Sequence, residues 1–321
     1  MSEKAKHWVG FDLGGTKMLA KIFDDQFTEI ASAKRKTEGN RGQKAGIARV
    51  VKTIEEALLA AGLTSADLAG IGVGCPGPVN PEKGIILEAP NLGWVNVPIA
   101  KELQNAFGCP AVACNDVDAG VFAEYSFGAA KGARCAVGVF PGTGIGGGAV
   151  INGNLLEGSR ISCMEIGHMT LEPNPGSGGE TLETLTSRLA IASQAAQAVY
   201  RGQAPYLAEK CGSSLDKITS SKIAEAIAAG DKAIEAIVRR AADLLGCGIA
   251  TLVHILAPDT IVLGGGLVDA MPKLYLEEVT RSAEKRVLSA YVGTFRIVPA
   301  KLAESAGSKG AAAWARKKIQ R

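Results

Sequence analysis

A glycine-rich segment near the amino terminus contains residue types that suit phosphate binding. Its sequence is Asp12-Leu13-Gly14-Gly15-Thr16-Lys17. Adjacent glycines let the backbone approach a ligand closely and turn its N–H groups toward phosphate oxygens. Thr16 adds a hydroxyl, Lys17 adds a positive charge, and the Asp12 carboxylate can hold Mg²⁺ through water. A plain hairpin turn with an exposed lysine is the alternative interpretation.

A second segment repeats this design further along the chain, with the sequence Gly142-Thr143-Gly144-Ile145-Gly146. Because every glycine weakens a strand, a purely structural sheet rarely needs so many. Two such segments in matching positions predict two hairpins that bind one polyphosphate across a cleft. Neither segment has the spacing of a Walker A loop, and neither has the G-x-G-x-x-G spacing of a Rossmann fingerprint at the start of a helix.

A third glycine-rich segment, Gly264-Gly265-Gly266, follows an apolar run and precedes a predicted helix. Backbone access at this point would let an adenosine lie against the amino terminus of the helix. The alternative is a tight turn between a strand and a helix.

A carboxylate that can act as a base lies at Asn115-Asp116, between a predicted strand and a predicted helix. Phosphoryl transfer needs a carboxylate to accept the proton of the attacking hydroxyl, and Asp116 is the candidate. Asn and Asp are also common helix N-caps, which is the structural alternative. Further polar groups of the kind that recognise sugar hydroxyls are present at Glu165, His168 and Glu183.

The order of predicted elements is repeated along the chain, and each repeat opens with a strand, a glycine-rich turn and a second strand. The predicted strands are Trp8–Phe11, Met18–Phe23, Phe27–Lys34, Ala69–Gly74, Ala111–Cys114, Cys135–Phe140, Ala149–Ile151, Thr260–Leu263 and Phe295–Val298. The predicted helices are Gln43–Leu63, Ile99–Phe107, Val117–Phe127, 182–199, 218–229, 231–256, 270–288 and Ala306–Ile319. This pattern predicts an internally duplicated α/β fold of two domains, with mixed sheets and a cleft between the domains.

The composition excludes several other classes of protein. The net charge of the 321 residues is +3 and the basic residues are scattered, so we expect no nucleic-acid partner. The seven cysteines form no C-x-x-C pair, which favours free thiols in a reducing cytosol. We identify no signal peptide, and no apolar run approaches the ~18–20 residues that span a membrane. The expected location is the cytoplasm, with no membrane partner.

The chain resembles the ROK family (repressors, open reading frames and sugar kinases) of the actin-like ATPase superfamily over essentially its whole length. Seven motifs in the order of the family carry the resemblance: Asp12 to Lys17, Gly72-Val73-Gly74-Cys75-Pro76-Gly77-Pro78, Pro90-Asn91-Leu92-Gly93-Trp94, Asn115-Asp116-Val117-Asp118-Ala119, Gly142 to Gly148, Glu165-Ile166-Gly167-His168-Met169-Thr170 and Ile261 to Gly266. The resemblance implies a ribonuclease H-like fold with a smaller domain at 1–117 plus 305–321 and a larger one at 118–304.

The resemblance also implies residue roles. The first two glycine-rich segments would bind the phosphates of ATP, with Mg²⁺, and the third would lie near the adenosine. Asp116 would be the general base. Sugar contacts would come from Gly77, Asn91, Asn115, Asp116, Glu165, His168 and Glu183. Glu183 is placed by the segment Leu182 to Arg188, which is similar to the family segment that follows a zinc motif.

The chain departs from the family at that zinc motif, C-x-C-G-x-x-G-C. The corresponding residues, Asn174 to Thr181, contain no cysteine, so a site of one histidine and three cysteines cannot form and we expect no structural zinc. Packing or a hydrogen bond must then orient His168. The 172–181 loop is expected either to be more mobile or to be held by another contact.

The sequence favours an ATP-dependent hexose kinase, with glucose as the first candidate and N-acetylmannosamine, N-acetylglucosamine, fructose or allose as others. A ROK repressor would carry a helix-turn-helix module ahead of Asp12, where the chain leaves no room for one. A non-catalytic sugar sensor is the third hypothesis, and the intact Asp12, Lys17 and Asp116 argue against it. A kinase that uses polyphosphate as donor is the fourth. By family analogy we expect a homodimer or homotetramer.

Overall fold

The fold of the chain is that of a mixed α/β protein, seen in a computed structural model that describes residues 7–174 and 178–320. The strands are β1 (His7–Leu13), β2 (Lys17–Phe23), β3 (Glu29–Lys36), β4 (Leu68–Cys75), β5 (Val79–Asn80), β6 (Ile85–Ala89), β7 (Trp94–Val97), β8 (Ala111–Asn115), β9 (Cys135–Pro141), β10 (Ile145–Ile151), β11 (Asn154–Leu155), β12 (Thr170–Glu172), β13 (Glu180–Thr181), β14 (Thr260–Leu263) and β15 (Arg296–Pro299). The helices are α1 (Gln43–Ala61), α2 (Ile99–Phe107), α3 (Asp116–Phe127), α4 (Leu182–Thr186), α5 (Arg188–Tyr200), α6 (Pro205–Lys210), α7 (Ser220–Ala228), α8 (Lys232–Leu256), α9 (Gly266–Ala270), α10 (Pro272–Arg286) and α11 (Ala306–Ile319).

The chain forms two compact units. The first unit takes the described residues of 1–132, 149–163 and 301–321, and the second takes those of 133–148 and 164–300. The domain boundaries predicted from the sequence, at 117/118 and 304/305, stay a prediction.

The first unit is built on a five-stranded sheet with the order β3-β2-β1-β4-β8. β1 pairs antiparallel with β2, and β1, β4 and β8 are parallel. Helix α11 lies directly against this sheet, because β1 and β4 carry glycine at the crossing points. A Cβ built on Gly10 would overlap the carbonyl oxygen of Ser308, and a Cβ on Gly72 would overlap that of Ala311. Side chains at these two positions would therefore push the helix off the sheet.

A small three-stranded sheet, β5-β6-β7, completes the first unit. Its inner face contributes Ile86, Trp94 and Val97 to the core, all of them buried. The ring of Trp94 fills the space at Gly46 of α1, where a Cβ would overlap it. The sequence did not predict this sheet, since its strands are two to five residues long and interrupted by proline and glycine.

A second five-stranded sheet has the order β11-β10-β9-β14-β15, and of its strands β9, β14, β15 and residues 145–148 of β10 belong to the second unit. β14 is buried along its whole length and pairs in parallel with β9 and β15, as expected for a central strand. Helices α8 and α10 pack together beside it. Among the helices of the described residues, none is both long and apolar enough to cross a membrane.

Several predicted helices differ from the observed ones. The predicted helix 182–199 is two helices, α4 and α5, because Ser187 takes an extended conformation and its hydroxyl caps α5 by accepting from the amide of Ala190 (3.3 Å). The predicted helix 270–288 starts at Pro272, and α9 precedes it as a separate turn. The short helix α6 was not predicted.

Candidate functional site

The first glycine-rich segment is the β1–β2 hairpin of the first unit. The amide of Gly14 donates to the carbonyl oxygen of Lys17 (3.0 Å), which closes the turn. The turn is fixed from outside by buried Thr37, whose hydroxyl donates to the carbonyl oxygen of Gly14 (2.6 Å) and whose amide donates to that of Thr16 (2.9 Å). The loop is therefore held rigidly while Gly15, Thr16 and Lys17 stay exposed.

The positive charge of this hairpin has a partner that the sequence analysis missed. Lys17 Nζ lies 2.9 Å from Glu304 Oε1, and their side chains are 51% and 80% exposed. Glu304 stands just ahead of α11, 287 residues away in the chain, so no local pattern could reveal the pair. An exposed pair of this kind is held weakly and can exchange for another anion.

The Asp12 carboxylate occupies the end of β1, beside the first turn of α11. A Cβ built on Gly307 would lie 3.0 Å from Asp12 Cγ, so the glycine makes room for this carboxylate. Burial raises the pKa of Asp12 above its ordinary value of 3.8, Lys17 acts in the opposite direction, and Glu304 adds to the rise. A divalent cation would offset this cost of burying a charge, and a half-buried carboxylate is an oxygen ligand of the type that Mg²⁺ takes.

The candidate base lies at the same edge of the sheet as Asp12. Asp12 is the register partner of Gly74 in β4, and a Cβ on Gly74 would lie 3.5 Å from the Cα of Asp116. Burial raises the pKa of the Cys75 thiol well above its usual range, and the nearby charges of Asp116 and Asp12 raise it further. The carboxyl ends of three parallel strands thus bring the two predicted acidic residues together.

Asn115 is the N-cap of α3. Its Oδ1 accepts from the amides of Val117 (2.9 Å) and Asp118 (3.4 Å), and its Nδ2 donates to the carbonyl oxygen of Gly77 (3.1 Å). Asn115 is therefore the N-cap, and Asp116 is the first residue of the helix, where its Oδ1 also accepts from the amide of Val117 (2.9 Å). Gly77 has φ of 76°, which favours glycine, and Asn91 borders the first hairpin at 3.3 Å from a Cβ built on Gly15.

The second glycine-rich segment joins β9 and β10 in the second unit. The amide of Gly142 donates to the carbonyl oxygen of Gly144 (2.8 Å), so this turn also closes on itself. Glu183, predicted as a sugar contact, holds the turn: its Oε2 accepts from the amide of Ile145 (2.7 Å). A Cβ on Gly144 would overlap Glu183 Oε2, so a side chain at this position would displace the carboxylate. Gly146 follows within β10.

Arg188 is a residue of this region that the sequence analysis did not single out. Its amide donates to the carbonyl oxygen of Gly142 (2.9 Å), and its Nη2 donates to the hydroxyl of Thr143 (3.3 Å). The sequence analysis placed it within the predicted helix 182–199 and at the end of the segment Leu182 to Arg188, and assigned it no role.

The third glycine-rich segment is a tight turn from β14 to α9. A Cβ on Gly264 would lie 2.7 Å from the ring of Phe140, and Gly265 has φ of 87°. Both glycines are therefore required by packing and backbone conformation, as the structural alternative stated. Gly266 is exposed, and the nearest atom to a Cβ there is Ser220 Oγ at 3.5 Å. This last position leaves room for a ligand.

Glu165 caps a turn of 3-10 helix, Ile166–His168, and His168 is its last residue; both side chains are exposed. Within the described residues, no hydrogen bond or ion pair fixes the His168 imidazole. The loop that follows is joined at its ends, since β12 pairs with β13 and the amide of Leu182 donates to the carbonyl oxygen of Met169 (2.8 Å). Residues 175–177 of the predicted zinc-free segment lie outside the described residues, and elsewhere in the described chain no cluster of His, Cys, Asp or Glu is arranged to hold a metal.

Comparison with known proteins identifies relatives over nearly the full length. The profile of the ROK family matches residues 8–318. A glucokinase of Thermotoga maritima is 31% identical over 317 residues, which cover 97% of this chain and 98% of the relative.

Two solved structures share the architecture. A ROK hexokinase from Thermus thermophilus has a TM-score of 0.81 at 31% identity and covers 98% of this chain and 99% of its own. A ROK glucokinase from Streptomyces griseus, solved in complex with glucose and AMPPNP, has a TM-score of 0.79 at 27% identity and covers 97% of this chain and 99% of its own. The predicted fold class, a two-domain actin-like ATPase fold with mixed sheets, is confirmed.

Proposed function

The chain belongs to the ROK family, and from this premise we propose that it transfers the γ-phosphoryl group of ATP to a hydroxyl of a hexose, with glucose as the first candidate. The observation that carries the proposal is the meeting of Asp12, Asn115 and Asp116 at the carboxyl ends of β1, β4 and β8. A phosphate-binding turn and a candidate base then lie at one edge of one sheet, which is what phosphoryl transfer requires. The glucose and AMPPNP held by the S. griseus relative support this reading.

The proposed base is Asp116. It would accept the proton of the attacking hexose hydroxyl as the oxygen bonds to the γ-phosphorus. Asn115 orients it, since the amide of Asn115 is tied to Gly77 and to the first turn of α3. Asn115 supplies the N-cap of α3, and Asp116 Oδ1 also accepts from the amide of Val117 (2.9 Å), which adds to the orientation of the carboxylate.

The proposed phosphate contacts of the first unit are the amides of Gly15 and Thr16 together with the ammonium group of Lys17, while the amide of Gly14 closes the turn that presents them. Lys17 would exchange Glu304 for a phosphate oxygen. Mg²⁺, held by Asp12 through water, would neutralise charge on the β- and γ-phosphates.

In the second unit, the amides of Thr143 and Gly144 form a further proposed phosphate contact, in a turn that the amide of Gly142 closes. Exposed Gly266 is the proposed neighbour of the adenosine. Exposed Glu165 and His168 and half-buried Glu183 supply the proposed sugar contacts, as Gly77 and Asn91 do in the first unit. The cytoplasm and a homodimer or homotetramer remain the expected setting.

The test is release of ADP from Mg-ATP in the presence of a panel of hexoses and N-acetylhexosamines. Wild type is compared with Asp116→Asn, which keeps the shape but removes the base, and with Asp216→Asn, a matched change at an exposed carboxylate. We expect sugar-dependent turnover that falls by about 10²- to 10⁴-fold in Asp116→Asn, the usual worth of a general base. Asp216→Asn should match wild type.

Protein that binds ATP but releases no ADP with any sugar of the panel would contradict the kinase proposal. It would favour the sugar-sensor hypothesis instead. Turnover with inorganic polyphosphate but not with ATP would show that the phosphoryl donor is polyphosphate.

A further inference from the structure

The amino terminus of α5 is fixed to the second glycine-rich turn through one residue, Arg188. Its main-chain amide donates to the carbonyl oxygen of Gly142 (2.9 Å). Its guanidinium donates to the Thr143 hydroxyl (3.3 Å) and to the carbonyl oxygen of Ile218 (3.5 Å). The guanidinium is therefore held beside the tip of the turn by long hydrogen bonds to neutral groups, which leave other N–H donors of the fork available.

The charge of Arg188 is not neutralised by the protein. No carboxylate of the described residues forms an ion pair with it, whereas Lys17 in the first turn pairs with Glu304 at 2.9 Å, and Arg239 of the same unit pairs with Glu235 at 2.9 Å. A half-buried guanidinium without an acidic partner is positioned to receive an anion from solution.

The helix that carries Arg188 adds to this positive potential. Helix α5 has 13 residues and begins at Arg188, with Ser187 as its N-cap. The amino-terminal end of its dipole therefore points toward the Gly142–Gly144 turn, and an anion is stabilised at such an end. The helix alone would not define a site, but the unpaired guanidinium and the glycine turn meet at the same place.

We propose that Arg188 binds the polyphosphate of the nucleotide donor at this turn. The planar fork of a guanidinium matches two phosphate oxygens, so Arg188 would hold one phosphoryl group while the amides of Thr143 and Gly144 bind the same chain of phosphates. The inference rests on the proposed function for the identity of the donor, and it adds a residue to which the family resemblance assigned no role.

The experiment measures equilibrium dissociation constants for ATP, ADP and adenosine, together with KM values for ATP and hexose. The variants are Arg188→Ala, Arg188→Lys and the control Arg201→Ala, which removes an exposed arginine at the other end of α5. For Arg188→Ala we expect an ATP dissociation constant raised about 10- to 100-fold, the worth of one charge-assisted hydrogen-bonded contact. Adenosine affinity and the KM for hexose should not change.

Arg188→Lys keeps the charge and the helical propensity, so it should fold as wild type does and lose several-fold in ATP affinity because the fork is lost. It keeps the test decisive if Arg188→Ala unfolds. Arg201→Ala should bind ATP as wild type does.

Two results would overturn the inference: ATP affinity within about twofold of wild type in both Arg188 variants, or equal losses for ATP and adenosine, which would mean a structural role. Failure of the proposed function is separable. Wild-type protein that binds ATP through Arg188 but phosphorylates no sugar would refute the kinase proposal alone, and wild-type protein that binds no nucleotide would refute this inference.

Discussion

The contact between Gly144 and Glu183 permits a test of how the second glycine-rich turn is held. The change is Gly144→Ala, and its matched control is Gly142→Ala, two residues away in the same turn. A Cβ on Gly144 would overlap Glu183 Oε2 and lie 3.0 Å from its Cδ. At Gly142 the nearest atom would be the Gly144 carbonyl oxygen, at 3.9 Å. Neither glycine has positive φ, so the difference between the variants measures the clash alone.

The expected magnitude follows from the hydrogen bond that the clash breaks. Glu183 Oε2 accepts a hydrogen bond from the amide of Ile145 (2.7 Å), and it would have to move away from that amide. A hydrogen bond to a charged group is worth ~1.5–3 kcal/mol. Replacing Gly by Ala returns about 0.4–1 kcal/mol by restricting the unfolded chain. Gly144→Ala should therefore lower the free energy of unfolding by about 1–2 kcal/mol, while Gly142→Ala should leave it unchanged or raise it slightly.

The assay is thermal unfolding followed by circular dichroism. At about 2–4 °C per kcal/mol for a unit of this size, Gly144→Ala should unfold about 2–8 °C below wild type. A double-mutant cycle with Glu183→Ala tests the cause, since Gly144→Ala should cost nothing once the carboxylate is gone. Equal midpoints for the two alanine variants, or costs that add in the Glu183→Ala background, would refute the reasoning.

Two further predictions concern the first hairpin. Burial raises the pKa of Asp12 in the folded state, so its charged form destabilises the fold. The protein is therefore at its most stable, as far as Asp12 is concerned, below the ordinary pKa of 3.8, and it loses this stability as the pH rises through the raised folded-state pKa. Asp12→Asn should therefore raise the unfolding temperature at pH 7, and this gain should disappear toward pH 3.8. The same variant should have no kinase activity. A lower unfolding temperature than wild type at pH 7 would contradict the reasoning. Glu304→Gln removes the exposed ion pair with Lys17, which is worth ~0.2–1 kcal/mol, and so frees Lys17 for phosphate. At low salt the KM for ATP should therefore fall up to about fivefold. The control Glu29→Gln removes the exposed partner of Lys21 and should leave the KM for ATP unchanged. A higher KM in Glu304→Gln would show that Glu304 assists ATP binding.

The elements with strong local signals were predicted closely from the sequence. Helix α2 was predicted to the residue, since Pro98 precedes it and Gly108, with φ of 69°, ends it. The β1–β2 hairpin followed from alternating apolar residues around Gly14-Gly15. The three strands β5 to β7 were missed, because their stability comes from packing, as of Trp94 against Gly46, and not from a periodic pattern.

From the sequence, Asn115-Asp116 could act either as a helix N-cap or as the site of the catalytic base. The structure shows two neighbouring residues, with the cap at Asn115 and Asp116 as the first residue of α3. Sequence types alone could not divide these tasks, because Asn and Asp are equally common N-caps. The division depends on the backbone at Asn115, which is extended with φ of −63° and ψ of 149°.

The contacts that define the second turn could not be predicted, since they join residues 38 and 45 positions apart. Glu183 was expected to contact sugar, and it also holds the amide of Ile145, so one carboxylate has two tasks if the proposed function is correct. Its Oε2 is committed to the turn, which leaves Oε1 for a sugar hydroxyl. Sugar binding at Oε1 would then reinforce the orientation that keeps Oε2 on Ile145, and so couple hexose binding to the geometry of the turn that Arg188 adjoins.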